Sequence, residues 1–136
     1  MGYSKYLAKN ERNIFLNPER KKQLLLELSE KPEIYRIERP TRLFRAHALG
    51  YKAKQGYFVV RARISKGLTR RERPNHARHP SKTGLFFGYD ISKKEILARR
   101  ILKKYPNAII LGGYYLVENG QYKWYEFILK DRSIQD

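Results

Sequence analysis

Three features of the 136-residue sequence predict an α+β fold, a mainly antiparallel sheet packed with helices, carrying long basic extensions and a basic loop. Residues 57–64 alternate with the period of a half-buried strand. Residues 108–129 hold two apolar, aromatic runs around Asn119-Gly120, the dipeptide that favours a tight hairpin turn. Two segments, 17–31 and 92–105, carry apolar residues at helical spacing. Helix, strand, loop, helix, strand, strand is the order of an antiparallel sheet with helices packed on it rather than of repeated parallel crossovers. A chain of this size makes one domain. We divide residues 1–136 into an N-terminal helical and basic extension, 1–56, and an α+β core, 57–132, with a basic loop at 65–84.

Each element has a local reason. Tyr3 to Lys9 is compatible with a short helix. Asn17 is a good N-cap, Pro18 fits the first helical position, Leu24, Leu25 and Leu28 form one stripe, and Pro32 stops the helix. Glu33 to Pro40 reads as extended, and Thr41 to Leu49 as a short helix with Gly50 as its C-cap. In the strand from Tyr57, Phe58, Val60, Ala62 and Ile64 occupy one face; Tyr57, Val59, Arg61 and Arg63 occupy the other, expected to be wet. Residues 65–84 have almost nothing apolar and are punctuated by Gly67, Pro74, Asn75, Pro80 and Gly84, so no core can be built from them; a loop this long is functional or disordered. Leu85 to Tyr89 could form a short strand. Ser92 and Glu95 make a capping box, Ile96, Leu97, Ile101, Leu102 and Tyr105 an apolar face, and Pro106 a stop. The strands of the closing hairpin are Ala108 to Val117 and Tyr122 to Leu129, joined by a type I′ turn.

Charge sets the class of partner. The chain has 30 Lys and Arg against 13 Asp and Glu, a net of +17. Residues 36–82 hold fourteen of those cations against Glu38 and Glu72, so +12 of the excess lies in about a third of the chain. A field of this sign repels itself and is neutralised by a polyanion, nucleic acid first. An anionic membrane would call for an amphipathic helix with a dense basic face or a lipid anchor, and the sequence shows neither. The charge and position of Arg39, Arg42, Arg45, Lys52, Lys54, Arg61, Arg63, Lys66, Arg70, Arg71, Arg73, His76, Arg78, His79 and Lys82 make them the candidate RNA-binding residues. The loop is expected to order on an RNA.

Other chemistries find little support. Without cysteine there are no disulfides, thiolate metal sites or Cys nucleophile, and no cofactor is expected. No stretch approaches the roughly 20 apolar residues of a membrane span. A nuclease would recruit His76 and His79 with Asp90 or Glu72, but no carboxylate cluster stands beside the two histidines to complete a metal site or orient an acid/base pair. The six basic residues of the helix after Ser92 read equally well as a solvated face. Tyr114, Tyr115, Tyr122, Trp124, Tyr125 and Phe127 could stack bases as in an RNA-recognition motif, yet cross-strand aromatics more often stabilise a sheet. Gly50 to Tyr57 is more telling: two glycines bracket Lys52 and Lys54, which in an extended segment lie on one side where backbone can approach a phosphate.

Arg39-Pro40-Thr41-Arg42, the run from Leu49 to Tyr57 with the Val59-x-Arg61-x-Arg63 strand behind it, and the closing Tyr114-Tyr115-Leu116-Val117 … Tyr122 to Asp131 together resemble the archaeal and eukaryotic large-subunit ribosomal proteins of the fifteen-e family. Met1-Gly2 and Lys5-Tyr6 are similar to its amino terminus, and the middle from Ser65 to Leu97 matches only loosely. The resemblance implies an α+β domain whose basic extensions thread ribosomal RNA, a structural and non-catalytic activity, and RNA contacts by Arg39, Arg42, Lys52, Lys54, Arg61 and Arg63. Family members continue beyond the last strand into a basic tail, whereas this chain ends at Asp136; its segment 10–38 is also more acidic than a strand of chain buried in RNA would be. The expected partners are large-subunit ribosomal RNA and neighbouring ribosomal proteins, with no membrane and no small-molecule substrate. The expected location is the cytoplasmic ribosome, with a nucleolar stage in a eukaryote. A ribosome-assembly factor or RNA chaperone that leaves the mature subunit is the alternative.

Overall fold

A computed structural model describes residues 2–67, 76–78 and 90–134. Helix α1 (Tyr3–Leu16) is longer than its sequence signals indicate and runs almost into α2 (Pro18–Ser29). Asn17 divides them: its extended backbone breaks the helix, and its side chain accepts the Glu19 N–H at 3.1 Å as α2 begins with proline. Strand β1 (Ile34–Ile37) follows, then the short helix α3 (Leu43–Ala48). Gly50, at φ +97°, ends α3 as expected: its N–H donates to His47 O, and the Tyr51 N–H reaches back to Ala46 O.

Strand β2 (Tyr57–Ser65), helix α4 (Lys93–Lys104), β3 (Ala108–Glu118) and β4 (Tyr122–Asp131) complete the described elements. The sheet order is β1-β2-β4-β3, every pairing antiparallel. Ser92 caps α4 by accepting the Glu95 N–H, but Glu95 turns to Arg99 at 2.7 Å instead of returning to the cap. The β3–β4 hairpin departs from the expected turn. Neither Asn119 nor Gly120 has positive φ, so the turn is not type I′; the Asn119 carboxamide instead accepts the N–H groups of Gln121 and Tyr122 at 2.8 and 2.7 Å. The strand expected over 85–89 and most of the loop 65–84 lie outside the described residues.

Both faces of the sheet are covered. On one, α4 lays Leu97 and Ile101 against Val60, Ala62, Ile64, Phe127 and Leu129. On the other, α3 and the turn after it bring Ala46 and Tyr51 onto Val59, Tyr114 and Ile128, while α2 plants Leu28 on Leu116, Val117 and Trp124. The face of β2 expected to be wet is therefore a second core, and Val59 on it is fully buried. The physical reason lies in the first 56 residues. They behave as part of the body: β1 extends the sheet, and three helices supply the apolar surface that closes its far side. Trp124, Phe127 and Tyr114 are buried within these cores.

Candidate nucleic-acid interface

Register decides which cations the fold uses internally. Arg61 on β2 stands directly opposite Glu126 on β4, both on the side covered by the N-terminal helices. Glu126 is fully buried. Arg61 donates from Nε and Nη2 to Glu126 Oε1 at 3.0 and 2.9 Å, from Nη2 to Thr41 Oγ1 at 2.8 Å, and from Nη1 to the Tyr35 hydroxyl at 2.9 Å. Glu126 also accepts the Thr41 N–H at 3.0 Å, the Thr41 hydroxyl and the Tyr114 hydroxyl. A buried carboxylate is tolerated where a cation and several donors satisfy it, and this one has both. Burial opposes the Arg61 charge, but Glu126 and Tyr35 outweigh it and raise its pKa. At Tyr114, burial and then Glu126 push the phenol above its ordinary range.

This network pins the segment that resembles a family signature. Pro40 is buried and Thr41 is tied to Glu126, leaving Arg39 exposed. Arg42 is held between elements: Nε lies 3.6 Å from the Glu11 carboxylate, Nη1 donates to Tyr115 O at 3.3 Å, and the guanidinium sits 5.5 Å from the Phe15 ring centre. Glu11 in turn accepts the Phe44 N–H at the start of α3. Thus α1 and α3 are clamped through one carboxylate.

Lysines gather at the loop from Gly50 to Gly56. Gly56 adopts φ +95° and lies so close to Ile134 that an added Cβ would meet its Cδ1 at 2.5 Å. The glycine therefore serves a turn and a close approach of chain to chain. Before it, Lys52 and Lys54 Nζ lie 6.0 and 5.6 Å from the Tyr57 ring centre, and Lys130, directly opposite Tyr57 on β4, lies 5.9 Å from the same ring. Three ammonium groups, two from one loop and one from β4, thus lie about one aromatic ring. The sequence pointed to Lys52 and Lys54; Lys130 could not be found without the Tyr57–Lys130 register.

The remaining candidates divide similarly. Arg45 is exposed, as are His76 and Arg78. Arg63 is half-buried, its guanidinium 4.8 Å from the Tyr122 ring centre, and Lys66 pairs with Glu118 at 2.9 Å. Arg70, Arg71, Arg73, His79 and Lys82 lie outside the described residues. On α4, Lys93 donates to Ser65 O, Arg100 pairs with Glu33 and Lys104 donates to Ile34 O, so much of that basic face fastens the helix to its surroundings. His47 Nδ1 is 3.1 Å from Tyr51 O, next to the C-cap of α3. Among the described residues no three His, Asp or Glu side chains gather as metal ligands, and no helix is long and apolar enough to cross a membrane.

Compared with known proteins, the chain matches the family model described as Ribosomal L15 over residues 2–136. It is 44% identical over 111 residues to the large ribosomal subunit protein eL15 of Metallosphaera sedula, covering 81% of this chain and 51% of that relative. The chain spans about half the length of the curated relative it matches.

Proposed function

Because this chain belongs to the Ribosomal L15 family, we propose that it is a structural, non-enzymatic constituent of the large ribosomal subunit, bound to large-subunit ribosomal RNA and adjoining ribosomal proteins in the cytoplasm. The observation that carries the RNA contact is the convergence of Lys52, Lys54 and Lys130 on Tyr57. Ammonium groups brought to one aromatic ring add to a positive field that a phosphate backbone neutralises. Each phosphate that they neutralise releases condensed counterions, a sequence-independent gain that weakens as salt rises.

The frame supplies what charge alone lacks. A flexible basic peptide loses conformational freedom on binding. Here the Arg61–Glu126 network fixes the chain from Pro40 to Arg42, and the C-cap at Gly50 fixes the departure of the lysine loop. Exposed Arg39 thus adjoins a segment tied to β4, and exposed Lys52 and Lys54 follow a turn tied to α3. His76 and Arg78, both exposed, are assigned phosphate contact in this reading, as are Arg70, Arg71, Arg73, His79 and Lys82 from the sequence, with no base-specific role for any of them.

The test is retention. Large subunits carrying a tagged copy are washed in high salt and sedimented. A built-in constituent remains at one copy per subunit; loss on maturation, with presence in precursor particles, would instead establish an assembly factor.

A further inference from the structure

We propose that the cleft between α1, the start of α2, α3 and β3 receives one unstacked nucleobase of RNA. The inference rests on the RNA-binding reading above and adds an element that reads a base to contacts that neutralise phosphates. The cleft encloses about 450 Å³, within the range of sites that hold small organic molecules. Phe15 and Phe44 line it, and Leu116 and Val117 of the edge strand contribute to its lining. Arg12 and Lys21, both exposed, and Arg42 line it too.

Its charge distribution selects the occupant. Glu11 is the sole acid of the lining, and its carboxylate is already taken, accepting the Phe44 N–H and pairing with Arg42 Nε at 3.6 Å. What remains unmatched is cationic. Arg42 places Nη1 on Tyr115 O, while its buried Nε, 3.6 Å from Glu11, makes no hydrogen bond among the described residues. An apolar protein side chain would satisfy the phenylalanines and leave these cations unserved. A nucleotide satisfies both: its base offers a stacking face to Phe15 or Phe44 and acceptor atoms on its edge to Arg42, and its phosphates lie within the field of Arg12 and Lys21. Arg42, beside the Phe15 ring, is already arranged as one wall of a stacking site.

The experiment titrates the isotope-labelled 136-residue chain with each of the four ribonucleoside monophosphates, with ribose 5-phosphate, and with N-acetylphenylalanine amide, following backbone amide resonances. Nucleotides are expected to shift Phe15, Phe44 and Val117 saturably while ribose 5-phosphate leaves them in place. Leu16→Glu, at a side chain 72% exposed and therefore safe for folding, puts a carboxylate in the lining and should weaken nucleotide binding on the order of tenfold. Ala8→Trp, which fills the cleft, should abolish it. Equal shifts with ribose 5-phosphate, no shift with any nucleotide, or saturation by the phenylalanine amide alone would each overturn the proposal. Binding of ribosomal RNA, measured in parallel, separates the two readings: RNA bound with a silent cleft sinks only the base site, and RNA not bound at all sinks the reading beneath it.

Discussion

Replacing Arg61 by methionine tests whether the arginine most prominent in the sequence faces RNA or serves the fold. Methionine keeps much of the length and the apolar stem but leaves Glu126 buried without its cation. Four hydrogen bonds disappear: two to Glu126, one to Thr41 and one to Tyr35. The Arg61 side chain is 14% exposed and that of Glu126 is 0%, so solvent screens the pair little. Removing one partner from such a pair costs about 3–5 kcal/mol. Thr41 and Tyr114 still donate to the stranded carboxylate, which places the expected loss near the lower end, about 3 kcal/mol. For a domain of ordinary stability, about 5–15 kcal/mol, that is a fifth or more of the total. Urea unfolding followed by tryptophan fluorescence suits the measurement, since Trp124 is buried in the same sheet. Glu126→Gln should cost a comparable amount, and the double variant should lose less than the sum of the two by roughly 1–3 kcal/mol, because the second change removes a partner already gone. An Arg61→Met variant that unfolds within about 0.5 kcal/mol of the parent, as a surface substitution would, while the salt dependence of RNA binding flattens, would put Arg61 on the RNA and not in the fold.

Lys52→Ala with Lys54→Ala should behave in the opposite way, leaving the urea midpoint almost unchanged and lowering the slope of log affinity against log salt by roughly 0.7–0.9 per lost phosphate contact, read by filter binding at several salt concentrations. Leu28→Ala should cost about 2–5 kcal/mol by urea unfolding, since this fully buried side chain joins α2 to Trp124 and Val117; a negligible cost would make the N-terminal helices an appendage after all. The raised Tyr114 pKa predicts an alkaline limb. The folded phenol keeps its proton where the unfolded one, at about 10, loses it, so this contribution is complete below about pH 10 and is lost as pH rises through the folded value. Comparing unfolding of the parent and Tyr114→Phe from about pH 8 to about pH 11 should show the shallower decline in the variant.

Helices and strands were legible wherever the signal was local. Asn17-Pro18, Ser92 with Glu95, and Gly50 each act within a few residues, and their elements formed as expected. The hairpin was legible as two strands, but its turn was not: Asn119 side-chain acceptance competes with the backbone geometry that Asn-Gly usually favours, and composition does not reveal which prevails. The length of α1 also escaped, since its support comes from packing near α3 and from the buried Glu11 rather than from a strong stripe of its own. At the candidate interface, the sequence marked the cations without marking their employment. Arg61 and Lys52 look alike in a list of basic residues, yet one is enclosed by a carboxylate opposite it on the neighbouring strand and the other lies near a tyrosine and two further lysines.

The sequence by itself determined the strand period of residues 57–64, the caps and stops of the helices, the absence of thiol chemistry and the concentration of positive charge in residues 36–82. These are properties of neighbours along the chain or of composition, and they need no knowledge of what folds against what. Tertiary structure alone decided that the second face of β2 is dry, that Arg61 answers Glu126, and that Lys130 joins Lys52 and Lys54. Each depends on strand register or on helices returning from the first 56 residues, and a one-residue slip between β2 and β4 would part Arg61 from Glu126 and Tyr57 from Lys130.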